Sequence, residues 1–203
     1  MVNRVDGVIL GVGIVVLVAS VIGVVLYDEQ SPQSYNLSWS ESEAIELDEQ
    51  TDSGGPGEFT FATNVSEEAL ARAEFTVEVT ASGTTVEDSN VEVEVETSEG
   101  ETDTCSFTVA GGGQTSSTGD CTVEFELNPR PALSTANGVN NTAAERQALD
   151  QVAFPNGTGE WATTVTVDAG TGISDPDYDV SLQPTVYNWE VTATQNAPGG
   201  RAG

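Results

Sequence analysis

The chain has 203 residues, which is enough for one ordinary domain and an additional segment. It has 33 acidic residues, five basic residues that are all arginine, and no histidine, so its formal net charge is −28. Without histidine or lysine, the chain has no Ser-His or Cys-His nucleophile pair, imidazole metal site, Schiff base or phosphate-loop lysine. Nucleic acid is not an expected partner, because two strongly negative surfaces repel each other.

The acidic residues accompany an apolar content that is high enough for a folded core. Hydrophobic residues make up 37% of the chain, and the acids alternate with Val, Phe and Thr instead of forming long blocks. A small domain needs a net charge of only about 2–8 for solubility. The larger surplus, without lysine, resembles the composition of proteins from extremely halophilic archaea and their viruses. At molar salt the Debye length is about 3 Å, so we expect the repulsion between carboxylates to be screened there.

An uncharged apolar segment at residues 8–27 predicts a single transmembrane helix. A helix of this length spans about 30 Å, the thickness of the hydrocarbon core of a bilayer. Arg4 precedes the segment and acidic residues follow it, so the positive-inside rule places residues 1–7 in the cytoplasm and the rest of the chain outside. Ala19 and Gly23 form a small-xxx-small pair through which two such helices could self-associate.

Two other interpretations of the N-terminal region remain open beside a permanent anchor. Residues 18–20 could serve as the cleavage site of a secretory signal. The short polar leader that ends in Gly7, followed by an apolar helix, resembles the precursors of type IV pilin-like proteins and archaeal filament subunits. This resemblance implies processing after Gly7. The sequence departs from the family pattern at Asp6, where a basic residue is usual, and at Val12, where bacterial pilins carry an acid.

The rest of the chain predicts an all-β domain behind a polar stalk at residues 28–56, with a possible edge strand near Ile45 and Leu47. From there on, apolar and polar residues alternate with a period of two, which is typical of strands with one face toward a core. The predicted strands are residues 59–61, 74–81, 91–96, 105–109, 121–127, 161–167, 178–182 and 186–193. They predict an antiparallel β-sandwich, of jelly-roll or immunoglobulin-like type, at residues 57–194, followed by a flexible tail at residues 195–203.

Two segments carry helix signals. Residues 66–72 begin with a serine that can cap a helix and have acids in the first turn. Residues 142–153 predict a better helix, because Thr142 as N-cap and Glu145 form a capping box and a proline follows. We expect this second, short helix to cover one end of the sandwich.

The order of features across residues 57–194 resembles the pre-peptidase C-terminal module, a small secreted jelly roll found beside peptidases. The matching features are EFTF at residues 58–61, Val-rich paired strands, a cysteine-containing hairpin, GTGEWATTVTV at residues 157–167 and the strand near Tyr178. Such modules are non-catalytic, so the resemblance implies a domain without enzymatic activity.

Cys105 and Cys121 are the only cysteines of the chain. Cys105 alternates in phase with Phe107, and Cys121 with Val123, so both cysteines are predicted to face the core. The glycine-rich loop between them predicts two adjacent strands. Outside the membrane, we expect these cysteines to form a disulfide, which in the chain-entropy model contributes about 3 kcal/mol.

The sequence also contains possible acceptor sites for N-linked glycans. A glycan acceptor is the triplet N-x-Ser/Thr, and an exported domain exposes such triplets to the modifying enzymes. Each triplet lies in a predicted turn or strand flank. The acceptor residues are Asn36, Asn64, Asn140 and Asn156.

No motif predicts a metal, a cofactor or a catalytic residue. Asp175, Asp177 and Asp179 have the spacing that opens a calcium loop of the EF-hand type. That loop then requires a glycine and an acid, where this chain has Val180 and Val186. We therefore expect no metal site here.

Together these observations predict a non-enzymatic protein with a single membrane pass and a β-sandwich on the outer surface. We expect it to act by protein–protein contact, as an accessory or structural subunit of a cell-envelope or virion assembly in a halophile. The expected partners are other membrane or envelope proteins, the lipid bilayer through residues 8–27, and a second copy of the same helix. The alternative is a pilin-like filament subunit processed after Gly7.

Overall fold

The computed structural model describes residues 32–83, 88–111, 115–169 and 176–196. Within these ranges the chain forms eleven strands and one helix. They are β1 (Gln33–Glu41), β2 (Ile45–Glu46), β3 (Gln50–Gly54), β4 (Gly57–Val65), β5 (Leu70–Ser82), β6 (Ser89–Glu96), β7 (Thr102–Val109), β8 (Ser116–Glu126), β9 (Thr135–Gly138), α1 (Asn141–Gln151), β10 (Gly159–Asp168) and β11 (Asp177–Gln195).

The predicted transmembrane helix, the cytoplasmic N-terminus, the two possible cleavage positions and most of the predicted tail lie outside the described residues. Among the residues that are described, no helix combines the length and the hydropathy that a membrane crossing requires.

The strands form two antiparallel sheets. Sheet I has seven strands in the order β8-β5-β11-β1-β9, with β2 and β3 also paired to β11. Sheet II has four strands in the order β4-β10-β6-β7. All of these strand pairs are antiparallel. The prediction of an all-β antiparallel sandwich with one short helix is confirmed.

The inward Val and Phe residues of the two sheets pack into one large core. Trp161, the largest fully buried side chain, stacks on Phe75 with ring centroids 5.0 Å apart and contacts Phe125 edge-on at 5.1 Å. Its indole N–H donates to the carbonyl oxygen of Gly157 at 2.9 Å, so its one polar atom is satisfied inside the core. The predicted alternation of apolar and polar residues therefore has the expected cause, the burial of one face of each sheet.

Strand β11 is 19 residues long and joins two differently packed halves of sheet I. Its even-numbered residues 178–186 are buried in the core between the sheets. Beyond them, the odd-numbered residues Trp189, Val191 and Ala193 pack beneath α1. Because successive side chains of a strand point to opposite faces, α1 lies on the outer face of sheet I, away from sheet II.

The prediction of two separate strands at residues 178–182 and 186–193 is wrong, because the chain continues through Pro184 as part of β11. Proline lacks a backbone N–H and disrupts a central strand unless a neighbouring strand is interrupted there. The interruption between β2 and β3 lies at this point, where the N–H of Leu47 donates to the carbonyl oxygen of Pro184 at 3.0 Å. The side chain of Gln183 donates to the carbonyl oxygen of Leu47 at 2.9 Å and closes the gap.

The prediction of a polar stalk at residues 28–56 is wrong, because this segment forms β1, β2 and β3. These strands pair one after another with the same side of β11. Tyr35 and Trp39 of β1 are only 3% and 5% exposed. Leu37, which lies between them in the sequence, is on the same face of β1 and packs against the same core. The edge strand expected near Ile45 is β2. A period of two is present in β1, but serine, asparagine and nearby acids gave the segment the polar composition of a linker.

Helix α1 covers a second, smaller core that is formed by β1, β9 and the end of β11. Ala144 and Ala148 are fully buried and belong to one apolar cluster with Tyr35 and Trp39. A Cβ atom at Gly138 would lie 2.5 Å from the backbone nitrogen of Ala144. Glycine at this position therefore permits β9 and the start of the helix to lie in contact.

The start of this helix differs from the predicted capping box. The N-cap is Asn140, whose side-chain oxygen accepts a hydrogen bond from the N–H of Ala143 at 2.8 Å. Thr142 therefore lies inside the first turn. The carboxylate of Glu145 accepts instead from the N–H of Ala193 at 3.0 Å and so ties the helix to β11.

The predicted helix at residues 66–72 is wrong, because the chain turns there and enters β5 at Leu70. Ala69 has a φ angle of +58°, in the left-handed region, where a right-handed helix cannot continue. Leu70 and Ala71 are 1% and 4% exposed, and the N–H of Trp189 donates to the carbonyl oxygen of Ala69 at 2.7 Å. Burial and strand pairing here outweigh the local helix preference.

We predict that Ala69→Gly stabilises the fold, because glycine adopts a positive φ without the steric cost that alanine has there. The free energy of unfolding should rise by about 1 kcal/mol, measured by urea unfolding at fixed high salt. Ala62→Gly in β4, an exposed alanine with an ordinary strand backbone, is the matched control and should destabilise. A loss of stability in both variants would contradict this account of the turn.

The outer face of sheet I carries rows of like charge that alternate with rows of threonine. The residues directly opposite each other on β5 and β8 are Glu74–Glu124, Thr76–Thr122, Glu78–Asp120 and Thr80–Thr118. The two threonine pairs are hydrogen-bonded at 2.9 and 2.8 Å between their hydroxyl oxygens. Like charges directly opposite each other destabilise a sheet, so the acid rows should depend on salt for screening.

We therefore predict that Asp120→Asn raises the melting temperature in dilute buffer, because it removes the charge that faces Glu78. The gain should be roughly 0.5 kcal/mol at low salt and should vanish near 2 M KCl, where the Debye length is only about 2–3 Å. Glu94→Gln on β6 is the control, since Glu94 lies opposite Thr104 and Thr164. Equal effects of both variants at every salt concentration would show that the opposed pair is not the source of salt dependence.

Candidate functional site

A cleft of about 430 Å³ opens on the outer face of sheet I, between the β5–β11 pair and the segment that follows β8. Its lining combines two arginines, two carboxylates, an aromatic ring and a buried amide. These residues are Arg72, Arg130, Glu41, Glu126, Trp189 and Asn128. We call this feature the Trp189 cleft.

A β-bulge shapes the sheet at this cleft. Tyr187 lies opposite Arg72, but the next residue, Asn188, lies opposite Leu70, so Ala71 is the extra residue of β5. A bulge of this kind increases the local twist and turns the side chains beside it. Beyond the bulge β11 no longer has β5 beside it, which leaves the ring of Trp189 half-buried at the wall of the cleft.

Arg72 joins three strands across the outer face. Its Nε donates to Glu41 on β1 at 2.9 Å, its Nη1 donates to Glu74 on β5, and its guanidinium lies 3.5 Å from the ring centroid of Tyr187 on β11. The hydroxyl of Tyr187 donates to the other oxygen of Glu74 at 3.1 Å. Burial lowers the pKa of Arg72, but the hydrogen bonds to Glu41 and Glu74 and the charge of Glu74 outweigh it and raise the pKa. Arg72 is thus held as a cation in a fixed position.

The segment after β8 is fixed against the sheet by buried hydrogen bonds. The indole N–H of Trp189 donates to the carbonyl oxygen of Asn128 at 3.0 Å. The side-chain amide of Asn128 donates to the carbonyl oxygens of Leu70 at 2.8 Å and Asn156 at 3.1 Å. Because Asn128 is only 6% exposed, these bonds fix the wall of the cleft before any ligand arrives.

Two buried acceptors at this place have no hydrogen-bond partner within the described part of the chain. They are Oδ1 of Asn128, a residue that lines the cleft, and Oδ1 of Asn188, which is not among the residues that line it. Buried polar atoms of native proteins almost always have a partner in the protein, in water or in a ligand. Since both oxygen atoms have almost no accessible surface, the polar groups that face a ligand in the cleft are the carboxylates of Glu41 and Glu126 and the guanidinium of Arg130.

The charges of the cleft differ from those of the surrounding surface. Arg130 is exposed and forms no ion pair with any described residue, and both ion pairs within the described ranges involve Arg72. Glu41 and Glu126 bring two negative charges to the same place. In a chain with a net charge of −28, this is a locally balanced, mixed-charge site.

The two cysteines lie away from the cleft and are joined as a disulfide with a Cα–Cα distance of 6.3 Å. The predicted hairpin between them is wrong, since β7 is the edge of sheet II and β8 is the edge of sheet I. The disulfide therefore joins the two sheets. Beside it, a Cβ atom at Gly119 would lie 2.7 Å from the ring of Phe107, so glycine allows the two edges to approach closely.

The predicted glycan acceptors are all exposed, but two of them lie in strands and not in turns. Asn36 is in β1 and Asn64 is in β4. Asn140 caps α1 through its side-chain oxygen, which leaves its amide nitrogen outside the cap bond. Asn156 donates its amide to the carbonyl oxygen of Leu127 at 3.0 Å, so a glycan there would compete with a structural hydrogen bond.

Among the described residues no three His, Cys, Asp or Glu side chains are grouped as a metal site would require. Asp177 and Asp179 are exposed on β11, and Asp175 lies outside the described residues. The Trp189 cleft was not predicted from the sequence, because its residues come from four separate segments. The one signal available was the presence of two of the five arginines at its lining, Arg72 and Arg130.

We predict that Arg72→Met destabilises the fold by about 1–2 kcal/mol, because it removes the cation between two carboxylates and the ring of Tyr187. Urea unfolding at constant salt measures this effect without the ionic contribution of guanidinium chloride. Arg130→Met is the matched control and should change stability by less than about 0.5 kcal/mol, since Arg130 is exposed. A similar loss in the two variants would refute a bridging role for Arg72.

Comparisons with known proteins give no family. No protein-family model matches the chain, and no curated protein matches it. Among solved structures, the chain is similar to TmCBM61 in complex with β-1,4-galactotriose, at 10% identity and TM-score 0.29, over 80% of this chain and 88% of that one. It is also similar to the infectious bursal disease virus Gx strain, at 10% identity and TM-score 0.36, over 83% and 38% of the two chains. A third similar structure is that of desmodium yellow mottle tymovirus, at 11% identity and TM-score 0.30, over 81% and 92%. At these TM-scores the matches carry no argument about this chain.

Proposed function

We propose that this chain is a non-enzymatic β-sandwich anchored in a membrane by residues 8–27 and displayed on the outer surface. It acts there by protein contact, as an accessory or structural subunit of a cell-envelope or virion assembly. The resemblance of residues 57–194 to non-catalytic pre-peptidase C-terminal modules agrees with a role in contact and not in catalysis.

The disulfide between Cys105 and Cys121 is the observation that carries this proposal. Disulfides persist in oxidising, extracytoplasmic compartments and are rare in the cytosol. This one joins the edge strands of the two sheets, so it stabilises the sandwich as a whole. It therefore supports an external location, in agreement with the orientation that Arg4 and the acids after residue 27 predict.

The position of β1 supports a short connection between membrane and sandwich. β1 begins at Gln33, and residues 28–32 can span no more than about 20 Å. Asn196, just after β11, donates its backbone N–H to the carbonyl oxygen of Ser34, so both ends of the described chain lie together. The opposite end of β11 lies about 60 Å away along the strand. We propose that this far end is the one most accessible to partners.

The acidic surface supports a halophilic source for the same protein. The acids lie on the outward faces of both sheets, where screening by molar salt reduces their mutual repulsion. Glycans at exposed Asn36, Asn64 or Asn140 are compatible with this external location. An anchor at residues 8–27 and an external sandwich fit a cellular membrane and a viral membrane equally well.

We predict that a cysteine replacing Thr60 reacts with a membrane-impermeant maleimide on intact cells of a halophilic host, whereas a cysteine replacing Asn3 does not. Thr60 is exposed on the outer face of sheet II, and the native cysteines are already bonded. Both variants should react after lysis, which is the control for thiol reactivity. The reverse pattern on intact cells would overturn the orientation, and a mature chain beginning at Val8 would replace the anchor by pilin-like processing.

A further inference from the structure

The Trp189 cleft has the properties of a ligand site, and the proposed role in protein contact gives it no function. From its charges and aromatic wall, we propose that it binds one neutral sugar unit of a glycan.

The charge balance selects a neutral ligand. A cation entering the cleft would meet Arg130, and an anion would meet Glu126. The charges of Arg72 and Glu41 offset each other, because these two residues form an ion pair, and Arg72 is also bonded to Glu74. Where opposite charges lie in one cleft, an ion of either sign is attracted by one charge and repelled by the other, whereas a group that both donates and accepts can bond to both. Hydroxyl groups have this property.

The accessible polar groups of the cleft suit a ligand rich in hydroxyls. The carboxylates of Glu41 and Glu126 accept only, and the guanidinium of Arg130 donates only. A sugar ring presents several hydroxyls in fixed directions, so it can bond to carboxylates and to a guanidinium at the same time.

The aromatic wall and the size of the cleft fit such a ring. The indole of Trp189 is half-buried, and its N–H is bonded to Asn128, so the ring is held in place. An aromatic face of this kind offers an apolar surface to the C–H groups of a sugar while its hydroxyls bond elsewhere. The volume of about 430 Å³ lies within the range of small-molecule sites.

The test is a titration of the full-length chain in lauryldimethylamine oxide, a detergent without a sugar headgroup, at high salt. The probes are the methyl glycosides of glucose, galactose and mannose, followed by NMR of the tryptophan indole N–H signals. We expect at least one glycoside to shift the Trp189 signal saturably, with a Kd in the order of 1–10 mM that does not change with salt. Trp39 and Trp161, which are buried, should not respond.

Matched variants locate the binding. Glu126→Gln and Arg130→Ser should each weaken binding about fivefold to tenfold, because each removes a charge-assisted hydrogen bond. Glu124→Gln lies on the same face of β8 two residues away, and Arg146→Ser lies on α1; neither residue lines the cleft, so both should leave the Kd unchanged.

Three results would overturn the proposal. The first is no saturable shift with any glycoside up to about 50 mM. The second is equal weakening by the cleft variants and by their controls. The third is tighter binding of glucuronate or of methylguanidine, which would assign the cleft to an anion or to a cationic side chain. None of these results bears on the membrane topology, which the maleimide experiment tests separately.

Discussion

The fold depends on the alternation of side chains along β11. Its even-numbered residues close the core against sheet II, while odd-numbered residues beyond the bulge close a second core beneath α1. One strand thus buries opposite faces at its two ends, which is possible because a strand presents successive side chains to opposite sides. The Trp189 cleft lies at the part of β11 where the buried side chains change from one face of the strand to the other. At that point Arg72 holds β1, β5 and β11 together.

The sequence predicted those elements whose alternation is long and rich in Val or Phe, such as β5 and β6. It missed β1, where only Tyr35, Leu37 and Trp39 mark the period of two among polar neighbours. It also placed a helix at residues 66–72, because local capping preference contains no information on the β11 residues that pair with Leu70. Alternation indicates which face of a strand is buried but not which sheet the strand joins, and so the parity of the cysteines did not reveal an inter-sheet disulfide.

The acids are arranged so that their repulsion is distributed over both outer faces. On sheet I, hydrogen-bonded threonine pairs separate the rows in which acids lie directly opposite each other. On sheet II, Glu92, Glu94 and Glu96 lie opposite serine or threonine on β7. On both sheets hydroxyl groups lie beside the acids, but the opposed acids of β5 and β8 and the successive glutamates of β6 have no hydroxyl between them. Placement alone therefore leaves a repulsion that depends on salt for screening.

Against this background, the position of the arginines is informative. Arg72 is bonded to Glu41 and Glu74 and stabilises the sheet, whereas Arg130 lines the same cleft without an ion pair among the described residues. If Arg130 served only to reduce surface charge, a position beside the opposed acids of β5 and β8 would lower the repulsion more. Its place in the same lining as Glu126 and Trp189 instead balances the charge of one cleft, and this balance beside an aromatic ring is the property from which we infer an uncharged, hydroxylated ligand.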